Sequence, residues 1–149
     1  MKIQIIAFMA LILTCSCASE DDNIKDIQNV ADDFATSYFN YDFKKSRKYC
    51  TEESDKWIRF AASNVDKKDI ETLRAQAEGA SHSIGEIVVI NDTSATACIT
   101  VHNVLVIDTI GVPGHIENNA EYVIPLVNRN GKWLVKMEGL PQNEKRSHD

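Results

Sequence analysis

The chain has 149 residues, 44% hydrophobic and 26% charged, with 22 acidic against 16 basic side chains and a formal net charge of -6. Its basic clusters, Lys44-Lys45, Arg47-Lys48 and Lys145-Arg146, are short and sit among acids, which excludes nucleic acid, since phosphate backbones are bound by extended Lys and Arg patches. No CxxC, HExxH or paired cysteine and histidine spacing occurs, so neither a metal nor another cofactor is expected.

The first residues, MKIQIIAFMALIL, carry Lys2 followed by an apolar run broken only by Gln4. That run has the length of a secretory h-region and falls short of the roughly 20 apolar residues that cross a bilayer. The following Leu13-Thr14-Cys15-Ser16-Cys17 resembles the lipobox of bacterial lipoproteins, in which a cysteine receives a diacylglyceryl group before cleavage. The small Ser16 points to Cys17 as the lipidated residue, with Cys15 as the competing choice. The acids that follow, in Ala18-Ser19-Glu20-Asp21-Asp22, resemble the export tag of Bacteroidetes-type surface lipoproteins; a plain solvated tether is the other reading. The expected layout is a signal peptide over 1–16, a lipidated acidic tether over 17–22, a folded domain over 23–140 and a polar tail over 141–149. A palmitate-bearing outer-membrane lipoprotein, exposed at the surface of the bacterial envelope, is the localisation this implies. Removing residues 1–16 takes away Lys2 and no acid, leaving 133 residues at a net charge of -7, enough for one domain with its own core.

Within that domain Ile24, Ile27, Ala31, Phe34 and Tyr38 recur at helical spacing, predicting a helix over 23–39. A break at Asn40-Tyr41-Asp42 precedes a short helix over 43–50. A third follows the Thr51-Glu52-Glu53-Ser54 capping signal and turns Trp57, Phe60 and Ala61 inward. A fourth runs over 69–77, with Gly79 as its left-handed C-cap. The period then changes, and residues 83–90, 95–107, 120–127 and 132–138 are rich in Val, Ile and Thr, predicting four strands. Asn91-Asp92 and Asn130-Gly131 suit tight hairpins, giving an antiparallel meander. A loop over 108–119 holds Gly111, Pro113 and Gly114. Pro125 requires either a bulge or an edge position.

Helices followed by strands indicate an α+β fold, with helices packed on one face of a curved antiparallel sheet. The element order, Tyr41-Asp42 after the first helix, the stretch DTSATACITV and the closing LVNRNGKWLVKM together resemble the nuclear transport factor two-like superfamily, and within it small bacterial lipoproteins of unknown function. The resemblance covers roughly residues 22–138. It implies a cone whose helices and strongly bent sheet enclose a pocket, in a fold that hosts isomerases, dehydratases, transport adaptors and binding modules, so that fold alone does not choose among them.

Enzymatic members of that superfamily pair an Asp or His base with a Tyr. The candidates here are Tyr38, Asp42, His102 and Tyr122, although Asp42 also suits a helix N-cap. His102 shares its strand phase with Thr96, Cys98 and Thr100, which places it on the outer face. His82 and His115 fall in expected loops. The rings of Tyr38, Trp57, Phe60 and Tyr122 either line a ligand cavity or fill it. Trp133 is expected to pack against the first helix. Cys50 and Cys98 are open to a disulfide in an oxidising compartment or to use as buried thiols. Asp108-Thr109-Ile110 resembles a three-residue O-glycosylation motif of Bacteroidetes envelope proteins, with Thr109 as the acceptor.

The function expected from these residues is that of a non-enzymatic binding module, held at the membrane by its lipid, for a small apolar ligand, a glycan or an envelope partner. One alternative is an isomerase or dehydratase of the steroid-isomerase type using a Tyr and Asp pair. Another is an inhibitor or immunity-type protein acting through an acidic face. Oligomeric state is left open.

Overall fold

The computed structural model describes residues 20–146; the export segment, Cys15 and Cys17 lie outside it, as does His148. Helix α1 spans Glu20–Tyr38, so the acids of the expected tether are already helical. Glu20, Asp21 and Asp22 occupy its first turn, where carboxylates complement the free N–H groups of the helix start. Its buried stripe is Ile27, Ala31, Phe34 and Ala35, and large side chains of this kind contribute about 1.5–3 kcal/mol each when fully buried.

The chain reverses through Asn40 and Tyr41 into α2 (Phe43–Ser46), followed by a 3-10 turn over Arg47–Tyr49. A second 3-10 turn, Glu52–Ser54, leads into α3 (Asp55–Ser63). In the Thr51-Glu52-Glu53-Ser54 capping signal neither hydroxyl makes a side-chain cap bond; instead the Thr51 and Ser54 hydroxyls bond each other at 2.8 Å, and Ser54 Oγ accepts from Met137 N at 2.8 Å. These bonds tie α3 to the end of the sheet. On α3 it is Ile58 and Ala61 that are buried, whereas Phe60 is 40% exposed and Trp57 half-buried. Helix α4 (Lys67–Ala75) starts two residues before its expected position, because Asp66 and Asp69 form a reciprocal capping box. Gly79 is not left-handed: positive φ among glycines is confined to Gly111 and Gly131. Its small size serves another purpose, since a Cβ there would strike the Asn40 carboxamide, which clamps Ala80 through both its N–H and its C=O.

Four strands, β1 (Ser81–Asn91), β2 (Ser94–Val106), β3 (His115–Arg129) and β4 (Lys132–Val135), form one antiparallel sheet in the order β1-β2-β3-β4. The expected meander is therefore present, with a tight turn at Asp92-Thr93 and a hairpin whose Asn130 and Gly131 both have positive φ (55° and 81°). Strand β3 begins five residues earlier than its hydrophobic pattern suggests, so the loop shrinks to residues 107–114 and His115 joins a strand; His82 likewise lies in β1. Both were expected in loops, and both are carried into strands by pairing with β2. Pro125 sits mid-strand without a bulge toward β2. Its carbonyl accepts from Lys136 N, so the position lacking a donor faces the end of β4, where the ladder stops.

Ala95, Ala97, Ile99 and Val101 on β2 and Ala120, Tyr122, Ile124 and Leu126 on β3 face the helices and are buried. Trp133, 2% exposed, donates from Nε1 to Asn23 Oδ1 at 2.6 Å, fastening β4 to the start of α1. No disulfide forms. Cys50 belongs to the inner core and its thiol donates to Ser46 O, whereas Cys98 lies between inward-facing Ala97 and Ile99 and so points to the opposite side of β2. Side chains on opposite faces of a sheet cannot meet the geometry of a bridge.

Candidate functional site

The concave side of the sheet and the helices leave a cavity of about 350 Å³. Its inner wall begins where α1 ends. Phe34 stacks on Tyr38 (centroids 4.9 Å apart), and Tyr38 meets Phe39 and Phe43 edge to face at 5.3 and 5.5 Å. Phe39 in turn contacts Tyr122 of β3 at 4.6 Å. Aromatic pairs of this kind add about 0.5–1.5 kcal/mol each beyond area burial, so the rings form a fixed wall.

Tyr41 is the least ordinary member. Its φ of 63° is rare for a residue with a ring. The reversed backbone is held by Tyr41 N to Tyr38 O (3.0 Å) and Asp42 N to Ser37 O (2.9 Å), while the Tyr41 hydroxyl donates to Leu105 O at 2.7 Å across the cavity edge. Six aromatic side chains line the space: Tyr38, Phe39, Tyr41, Phe43, Phe60 and Tyr122. The polar lining consists of Asn64, Asp108, Gln142 and Asn143, the last two from the segment after β4 that crosses the opening.

Burial pushes the Tyr38 and Tyr41 phenols well above their ordinary range, with neighbouring tyrosines adding to the effect. Both hydroxyls therefore stay protonated. Among the described residues no protein group bonds the Tyr38 hydroxyl, so its donor and its lone pairs are left to the cavity. Asp42 is not in the lining; it is exposed and caps α2 by accepting from Lys45 N at 3.1 Å. Asp69, 1% exposed, is also absent from the lining, and its two oxygens accept from Asp66 N and Gly114 N. Neither carboxylate is aimed at the enclosed space.

Of the four rings singled out in the sequence, Tyr38, Phe60 and Tyr122 line the cavity, and Trp57 lies behind Phe60, edge to face at 6.4 Å. His102 is on the outer phase of β2, where its Nδ1 pairs with Asn119 Oδ1 at 2.5 Å. Thr109 is exposed in the loop between β2 and β3. Sequence reasoning missed Tyr41, Asn64 and Asp108 as lining residues. It also treated residues 141–149 as a polar tail, although Pro141, Gln142 and Asn143 line the cavity. Among the described residues no group of three or more His, Cys, Asp or Glu is placed to hold a metal, and no helix is long and apolar enough to cross a membrane.

No protein-family profile and no curated protein matches the sequence. Solved structures do match it. An NTF2-like protein of unknown function from Shewanella oneidensis superposes with a TM-score of 0.50 at 11% identity, over 76% of this chain and 93% of that one. The chain has an NTF2-like fold. An NTF2-like protein of Campylobacter jejuni (TM-score 0.46, 21% identity, 75% of this chain and 98% of that one) is also similar. So is Rv3472(D26N), a Mycobacterium tuberculosis protein of unknown function (0.46, 13%, 82% and 72%). At these identities the likeness concerns the NTF2-like fold alone. The α+β architecture, with helices on one face of a four-stranded antiparallel sheet, agrees with the NTF2-like cone.

Proposed function

We propose that the protein is a non-enzymatic binding module of the bacterial envelope, tethered by a lipid on Cys17, whose cone receives one small, mainly apolar ligand. The observation that carries the binding half is the six-ring cavity, whose one lining carboxylate among the described residues, Asp108, is 43% exposed and faces His115. Proton abstraction needs a poised acceptor within hydrogen-bond reach. Asp42 is turned to the surface and both oxygens of Asp69 are taken by backbone N–H groups, which weighs against the isomerase alternative. Apolar pockets with a few placed polar groups are the usual form of small-molecule sites. The tether rests on the sequence of residues 1–22.

Titration with the neutral dye N-phenyl-1-naphthylamine tests the binding half. Saturable one-to-one binding is expected in the parent. Ala61→Trp, which fills the cavity from α3, is expected to abolish it while preserving the thermal transition; undiminished binding by that variant would overturn the reading. Alkyne-palmitate labelling that is lost in Cys17→Ser and kept in Cys15→Ser is the expected outcome for the tether. Labelling independent of both cysteines would remove it.

A further inference from the structure

The charge of the ligand can be read from the same walls, in an argument that rests on the binding reading above. The lining contains six aromatic rings and four polar side chains, and the charged one among them is Asp108, an acid. Among the described residues no Lys, Arg or His lines the space. An anionic ligand would thus enter a low-dielectric cavity with a carboxylate at its rim and no counter-charge, at a cost of several kcal/mol. A cation meets the opposite situation. Aromatic faces attract cations through their quadrupoles, by about 0.5–1 kcal/mol where exposed and about 2 where desolvated. The overall charge of -6 adds a negative potential, which a concave opening focuses.

The polar groups narrow the class. Asp108 is 43% exposed and already faces His115 Nδ1 at 3.7 Å, so it stands at the mouth rather than in the depth. Tyr41 spends its hydroxyl on Leu105 O, and Asn143 Oδ1 accepts from Glu121 N and Lys145 N. A compact primary ammonium would bury three N–H donors among rings that offer few acceptors, which is unfavourable. A quaternary ammonium has no donors and spreads its charge over its alkyl groups.

We propose that the cone binds a small organic cation of the quaternary ammonium class, its alkyl groups against the rings of Tyr38, Phe43 and Phe60 and its charge toward the Asp108 mouth. Three ligands test this by chemical-shift titration of the full chain: choline, its uncharged carbon isostere 3,3-dimethyl-1-butanol, and the smaller primary amine ethanolamine. Choline is expected to bind at least tenfold more tightly than either, to weaken about threefold in Asp108→Asn at low salt, and to weaken about tenfold in Phe60→Leu, a half-exposed position whose change leaves the core intact. Equal affinity for choline and the alcohol would overturn the inference. So would failure of choline to bind a cavity that still takes the neutral dye, and in that case the binding reading survives. Failure of choline and dye together would remove both.

Discussion

Replacing Asp69 probes the joint between α4 and the loop before β3. The residue is 1% exposed; its Oδ2 accepts from Asp66 N at 2.9 Å and its Oδ1 from Gly114 N at 2.7 Å, joining α4 to the loop before β3. Asp69→Ala leaves both N–H groups without their acceptor, at about 1–3 kcal/mol each, and keeps Asp66 as a simple N-cap through Asp69 N. The expected loss is about 3 kcal/mol. With a urea slope of about 1.5 kcal/mol/M, the midpoint falls by about 2 M. Asp69→Asn retains one oxygen and turns an NH₂ toward the second donor, so it should cost about half as much. Amide exchange in residues 107–114 should rise in both variants, more in the alanine one. Equilibrium urea unfolding followed by circular dichroism measures the first pair of values. A loss under 1 kcal/mol for Asp69→Ala, or an asparagine variant as unstable as the alanine one, would refute the claim that these two bonds fasten the loop.

Removing the Tyr41 hydroxyl in Tyr41→Phe breaks the bond to Leu105 O and leaves that carbonyl without it, which should lower stability by about 1 kcal/mol in the same assay. The exposed Glu53 carboxyl is held at about 2, chiefly by its hydrogen bond from Arg129. Its folded value lies below the unfolded one, so the stabilisation is present above about pH 4.5 and is lost as pH falls through about 2. Carbon-13 titration of Glu53 should show the low value, and Arg129→Gln should return it toward the ordinary range. Burial pushes the Cys50 thiol up to about 12, so at pH 8 iodoacetamide should alkylate the half-exposed Cys98 well before Cys50 in the native protein. Peptide mass spectrometry over time checks the order, and equal rates would contradict the burial of Cys50.

The elements legible in the sequence were those with a strong period or a strong turn. The stripe Ile27, Ala31, Phe34 drew α1, and Asn130-Gly131 drew the last hairpin. Boundaries failed where tertiary pairing overrides local preference: residues 115–119, His-Ile-Glu-Asn-Asn, have little strand character, yet they pair with β2 from Val106 back to His102. The cavity was half legible. Tyr38 and Tyr122 stand in amphipathic elements whose inward phase can be counted, whereas Tyr41 reaches the cavity through a positive φ that no periodicity encodes. Asp69 looked like the first residue of a helix; its partnership with Gly114 spans 45 positions and follows from a glycine whose Cβ would collide with Val106 O and Ile107.

Helix α1 also acts as a ruler. Asn23, near one end, is bonded to Trp133, and Tyr38, at the other, forms part of the chamber wall. The 15 residue steps between them within this helix, at about 1.5 Å rise each, set the two about 22 Å apart. A tether of the kind proposed at the leading end would thus pull on the helix end opposite to the one that builds the chamber wall.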